Sequence, residues 1–146
     1  MSISFANVPP PRGAVVGFAA ADRPGVRAML AALNRARAAG GLGPLVLDRR
    51  LSGVAEAHAR DMLGRGRFGH DVSQGDPFAR MRAAGLSFVY AGENLALAPS
   101  EPLAERALER SPEHRANILE QHYVRVGIAA VSVPGTGELF VQEFTD

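Results

Sequence analysis

The chain has 146 residues, 47% of them apolar and 21% charged, with a net charge of +1. That length suits one domain with a real core, and nothing in the near-neutral balance points to a nucleic-acid surface. With no Cys there can be neither disulfides nor thiolate metal sites. No stretch approaches the roughly 20 apolar residues of a membrane-spanning helix.

Residues 1–21 read as an extended arm, kept out of helix by Pro9, Pro10 and Pro11. "RGAVVGFAAADRP" makes a poor secretion signal, because only Val15, Val16 and Phe18 are strongly apolar. A single domain is expected over 22–146. Asp22 offers a cap for a helix in which Val26, Met29, Leu30 and Leu33 recur at helical spacing, ended by Gly40 and Gly41. "GPLVLD" reads as a connection closing on a second cap, Asp48. Leu51, Val54, Ala55, His58, Ala59, Met62 and Leu63 then form one apolar helix face, stopped by Gly64 and Gly66.

"RFGHDVSQG" is loop. "DPFARMRAAG" is a short helix with Asp76 as cap and Gly85 as exit. "LSFVYAGENLALA" reads as a short strand or extended turn. Ser100 can cap "EPLAERALER", which is expected to bury Leu103, Ala104, Ala107 and Leu108. Ser111 can cap a fresh helix opened by Pro112. "YVRVGIAAVSV" and "ELFVQEFT", joined by "PGTG", read as an antiparallel hairpin. Helices first and a hairpin last give an α+β class.

Metalloprotease, nucleophile-elbow, Walker and EF-hand signatures are all absent. His58 lies on an apolar helix face, where a backbone-bonded structural role is favoured. His122 precedes a strand and reads as a surface or strand-edge residue. His70, in the Gly-flanked "FGHD", has no periodic reason for its place. His114 stands in the first turn of a helix, where the helix dipole opposes protonation and keeps a lone pair available. Glu93, in "AGENLA", is a carboxylate among small and apolar residues and needs a partner. Two imidazoles and a carboxylate are the ligand types of an open zinc-like site.

"LNRARAAGGLGPLVLDRRLSGVAEAHARDML", "FGH", "AGENLA", "SPEHRANIL", "VGIAAV" and "VQEF" follow one another in the order expected of a CAP domain. The chain therefore resembles the superfamily of cysteine-rich secretory, antigen 5 and pathogenesis-related 1 proteins (SCP-like domains), in its bacterial branch. The resemblance covers roughly Asp22 to Thr145. It implies a three-layer α-β-α sandwich with a small antiparallel central sheet and a surface cleft that in many members holds two His and two Glu. By motif, His70, Glu93 and His114 match three of these. Ser111 stands where the remaining Glu is expected, with Glu109 and Glu113 near enough in sequence to substitute. Glu113 occupies a position where bacterial relatives commonly have Gly.

Two functions follow from the resemblance. The first is a non-enzymatic module, secreted or in the cell envelope, whose cleft binds a small-molecule, lipid or protein ligand. Zn²⁺ or another divalent cation could sit at His70, Glu93 and His114. The second is a metal-assisted hydrolase in which Glu93 or Glu113 activates water. Binding is favoured over hydrolysis, and a purely structural polar cluster is the third possibility.

Overall fold

The computed structural model describes residues 23–146. The predicted arm and the Asp22 cap lie outside those residues. Helix α1 (Pro24–Ala39) has Arg23 at its N-cap position and Pro24 in the first turn, where a missing N–H costs nothing. Val26, Met29 and Leu33 are buried as their spacing predicts, and Arg37 is buried on the same stripe. "GPLVLD" is more than a connection, for Val46–Leu47 form the short strand β1. The Asp48 carboxylate caps α2 (Arg49–Arg65) by accepting from the Leu51 N–H at 2.8 Å. That helix runs past Gly64 and ends at Gly66, which is left-handed (φ 62°). Asp76 caps α3 (Pro77–Ala83), accepting from the Ala79 N–H at 2.8 Å.

The "AGENLALA" segment is a full strand, β2 (Ala91–Ala98). The predicted hairpin is β3 (Arg125–Val133) and β4 (Gly137–Thr145). Sheet order is β1-β3-β4-β2. β4 pairs antiparallel with both β3 and β2, but β1 pairs parallel with β3. The sheet is thus mixed where a purely antiparallel one was expected, because β1 reaches the edge without a hairpin turn, the helices between it and β3 making the crossover.

Helices α1, α4 (Glu101–Arg110) and α5 (Pro112–Ile118) cover one face. Met29, Leu33, Leu108, Ile118, Ile128 and Phe140 make the core there. Helix α2 covers the other face, with Ala59 and Met62 against Leu95, Val131 and Val141. The result is the three-layer α-β-α sandwich. On α4 only Ala104 and Leu108 are buried, while Leu103 is exposed. Ser100 and Ser111 occupy N-cap positions, yet neither side chain makes a capping bond.

Layer spacing is set at one point by a missing side chain. A Cβ on Gly127 of β3 would run into the backbone of Leu51 and Ser52 at the start of α2. Backbone cannot yield as a flexible side chain can. Gly127→Ala is therefore expected to cost about 2 kcal/mol or more, read as a lower urea midpoint at unchanged slope.

Candidate functional site

Strand β2 is the free edge of the sheet opposite β1. Alternation along it sends Glu93 toward the α2 face and Asn94 toward the α5 face. The register sets Glu93 opposite Glu143 and Asn94 opposite Gln142 on β4. All four are fully buried. Each carboxyl or amide must therefore find its partners inside the protein.

Glu93 finds them on the loop after α2 and on α3. Its Oε1 lies 2.6 Å from His70 Nδ1, and its Oε2 accepts from Arg80 Nη2. Arg80 also donates from Nη1 to the His70 carbonyl at 2.6 Å and to the Gly75 carbonyl at 2.7 Å. His58 Nε2 donates to the Gly69 carbonyl at 2.8 Å. The loop carrying His70 is thereby tied down at three points, while Phe68 packs against the α2-side core. His58 has the backbone-bonded role its position predicts, although its ring also lies 3.8 Å from Glu93 Oε1.

His114 comes from the first turn of α5. Its Nδ1 is 2.8 Å from Ser111 Oγ, so Ser111 holds the imidazole and leaves the helix N–H groups alone. Asn94 Nδ2 donates to the His114 carbonyl and to Gln142 Oε1, both at 3.1 Å. Asn117 donates to Asn94 Oδ1 at 2.9 Å. Asn94 therefore locks α5 to the sheet edge directly beside Glu93.

The charges are arranged to keep one carboxyl ionised and its neighbour neutral. Burial opposes ionisation of Glu93. Hydrogen bonds with His70 and Glu143, and the charges of His58 and Arg80, nevertheless hold its pKa below the ordinary carboxylate value. Burial, then the charge on Glu93, pushes Glu143 well above that value. Among the described residues Glu143 has no donor within hydrogen-bond reach, and Arg80 Nη2 stands 3.6 Å away. A proton of its own lets Glu143 bond Glu93 instead. Burial lowers the pKa of His114, and nearby His70 lowers it further, against an upward pull from Glu113.

The rest of the site is defined by what lacks a partner. His70 Nε2 and His114 Nε2 are both buried, and neither has a hydrogen-bond partner among the described residues.

The sequence profile of the cysteine-rich secretory protein (CAP) family matches residues 30–144. The chain belongs to that family. It is 34% identical over 113 residues to the uncharacterised protein YkwD of Bacillus subtilis (strain 168), covering 76% of this chain and 43% of that one. It thus spans less than half the length of that curated relative. Among solved structures, it is similar to an extracellular SCP-domain protein of Bacillus anthracis strain Ames. That likeness has a TM-score of 0.72 at 26% identity, over 82% of this chain and 39% of the other. An outer surface protein of Borrelia burgdorferi shares the fold at TM-score 0.80 and 19% identity, over 85% of this chain and 93% of that one.

Within this CAP domain His70 and Glu93 meet directly, and His114 lies near enough to His70 for the two rings to influence each other electrostatically. Ser111 joins them through His114. Glu113 is exposed beside His114. Glu109 is not brought in; it stays half-buried on α4 and makes no hydrogen bond or ion pair with His70, Glu93 or His114 among the described residues. Among the described residues, no three His, Cys, Asp or Glu side chains form a cluster able to hold a metal ion. Within the expected trio of His70, Glu93 and His114, Glu93 has one oxygen on His70 Nδ1 and the other on Arg80, so it backs an imidazole. Sequence reasoning does not reach Arg80 and Glu143. Arg80 repeats with Pro77 and Met81 on the buried stripe of α3, and that spacing is the one available signal.

Proposed function

We propose that this CAP domain is a non-enzymatic binding module of the cell exterior or envelope, and that the imidazole pair His70 and His114 is the centre of its cleft. The observation that supports this reading is the pair of buried, unpartnered Nε2 atoms. With Nδ1–H donated to Glu93, a neutral His70 ring presents its lone pair at Nε2; His114, bonded to Ser111 Oγ, can do the same.

Two imidazole nitrogens suit a borderline transition-metal cation such as Zn²⁺ and do not suit Ca²⁺ or Mg²⁺, which require oxygen. When bound, such a cation would supply Lewis acidity and open positions for a ligand. The chain's own part is to orient the rings. Glu93 fixes His70 from behind, in the carboxylate–histidine arrangement that typically tunes affinity about 10–100-fold. Metal-assisted hydrolysis needs a carboxylate free to take a proton from water; both Glu93 oxygens already hold a partner, which leaves the exposed Glu113 beside His114 as the carboxylate for that second reading. The exterior location is supported by the extracellular and surface relatives. Among the described residues, no helix is long and apolar enough to cross a membrane.

Zinc titration calorimetry tests the reading. The parent chain is expected to bind one Zn²⁺, His70→Ala and His114→Ala each to lose it, and Glu93→Gln to weaken it about tenfold. Unchanged affinity in both His variants removes the cation from the cleft.

A further inference from the structure

A hollow lies between α2 and α3, with a volume of about 650 Å³, well inside the range of small-ligand pockets. Its walls are Gly53, Val54 and Ala57 from α2, Ala83 from the end of α3 and Ala84 just after it. On α2, Arg50, Gly53 and Ala57 recur at helical spacing on the side turned to α3. The hollow exists because these side chains are small; a Cβ on Gly53 would meet nothing within 4 Å.

Its polar lining has one sign. Arg50 and Arg80 both line it, with Gln74, and no acidic side chain does. Arg50 reaches only the Gly85 carbonyl, at 3.3 Å, and among the described residues no carboxylate pairs with it. Arg80 is 5% exposed. Its Nη atoms are committed to Glu93 and to the carbonyls of His70 and Gly75, but its Nε–H is buried without a partner among the described residues. Arg50 is exposed and carries its charge at the mouth of the hollow, and the buried Arg80 Nε–H lacks an acceptor beside an apolar wall; together they suit an anionic acceptor attached to an apolar body.

We propose that the α2–α3 hollow is a binding site for a small organic monocarboxylate with an apolar body. The carboxylate pairs with Arg50 and supplies an acceptor for Arg80 Nε–H, and the body covers Gly53, Ala57, Ala83 and Ala84. The planar fork of Arg matches a carboxylate's two oxygens. Arg80 is the partition between this hollow and the imidazole centre, because the same side chain holds Glu93 and the His70 loop. The site does not depend on a cation, and its ligand would lie one side chain from His70.

Backbone amide NMR with hexanoate as probe, hexanamide as its uncharged counterpart and a chelator present tests this. Hexanoate is expected to give saturable shifts at Gly53, Ala57, Ala83 and Ala84, with hexanamide at least about tenfold weaker. Arg50→Gln should weaken hexanoate about tenfold, and Ala57→Phe, which fills the hollow from an exposed helix position, should abolish the shifts. The doubly substituted His70→Ala, His114→Ala chain should bind hexanoate as the parent does, so this result stands apart from the zinc experiment. No saturable shift, equal response to the amide, or full binding by Ala57→Phe each overturns the proposal.

Discussion

Arg37→Met is expected to destabilise the protein by about 3–5 kcal/mol. Arg37 is 2% exposed, and its guanidinium donates to four carbonyls. Nε reaches Gly43 at 2.8 Å, Nη1 reaches Ile118 and Glu120 at 2.9 Å each, and Nη2 reaches Tyr123 at 3.1 Å. Ile118 closes α5, and the carbonyls of a helix's last turn lack intrahelical partners. Arg37 thus acts from α1 as the C-terminal cap of α5 and as the clip for the turn leading into β3. Methionine fills similar space with no donor. Each carbonyl left unpaired costs about 1–3 kcal/mol. Part of this is returned, since burial of the guanidinium itself is unfavourable, as its lowered pKa indicates. Because α5 carries His114, its amides should also exchange faster with solvent. Lysine should rescue little, having a point charge in place of a planar fork. A urea-derived loss below about 1 kcal/mol, with α5 exchange unchanged, sinks this account.

Arg37 also marks the limit of what the residues disclose in advance. Its position follows Val26, Met29 and Leu33 around α1, so the pattern placed a cation on the buried stripe. Composition offered no reason to single it out among scattered arginines. The caps at Asp48 and Asp76 were legible because capping depends on residues within one turn. Strand β1 was not, because two residues carry no periodicity and the strand exists only through its pairing with β3. At the site, His70 and His114 stood out as unexplained polar residues in short motifs. Glu143 did not. Both faces of β4 are covered by helices, so its side chains are buried regardless of alternation, and nothing local announces which residue on β2 will face it. The partners of Glu93 were hidden for a related reason. Sequence order can bring Glu93 near His70, but only the fold decides that it approaches Nδ1 and shares itself with Arg80.

That placement leads to the second large effect, in which the same chemical change on two facing residues acts in opposite directions. Glu143 has a folded pKa raised above its unfolded value of about 4.3. The folded protein therefore keeps a proton that the unfolded chain releases. Stability falls as pH rises through the window between the two values, by about 1.4 kcal/mol per pH unit while Glu143 stays protonated. Glutamine at 143 keeps a hydrogen-bond donor for Glu93 and has no proton to lose. Glu143→Gln is accordingly expected to match the parent at about pH 4 and to be increasingly more stable than it toward neutrality. Glu93 has the reverse linkage. Its folded pKa is lowered, so its contribution is present above the unfolded value and is lost as pH falls. Glu93→Gln removes the charge that pairs with Arg80 and should cost about 2 kcal/mol at neutral pH, a loss limited because Glu143 can then ionise beside the guanidinium. Urea unfolding of both variants and the parent at several pH values from about 4 to 8 measures the two slopes together. The two carboxyls titrate as a pair, so it is the difference between variants that carries the information. A flat, pH-independent offset for Glu143→Gln means that the folded protein holds no extra proton. The pair would then carry two negative charges against the single guanidinium of Arg80, and the proton-sharing picture of the sheet edge behind His70 would have to be abandoned.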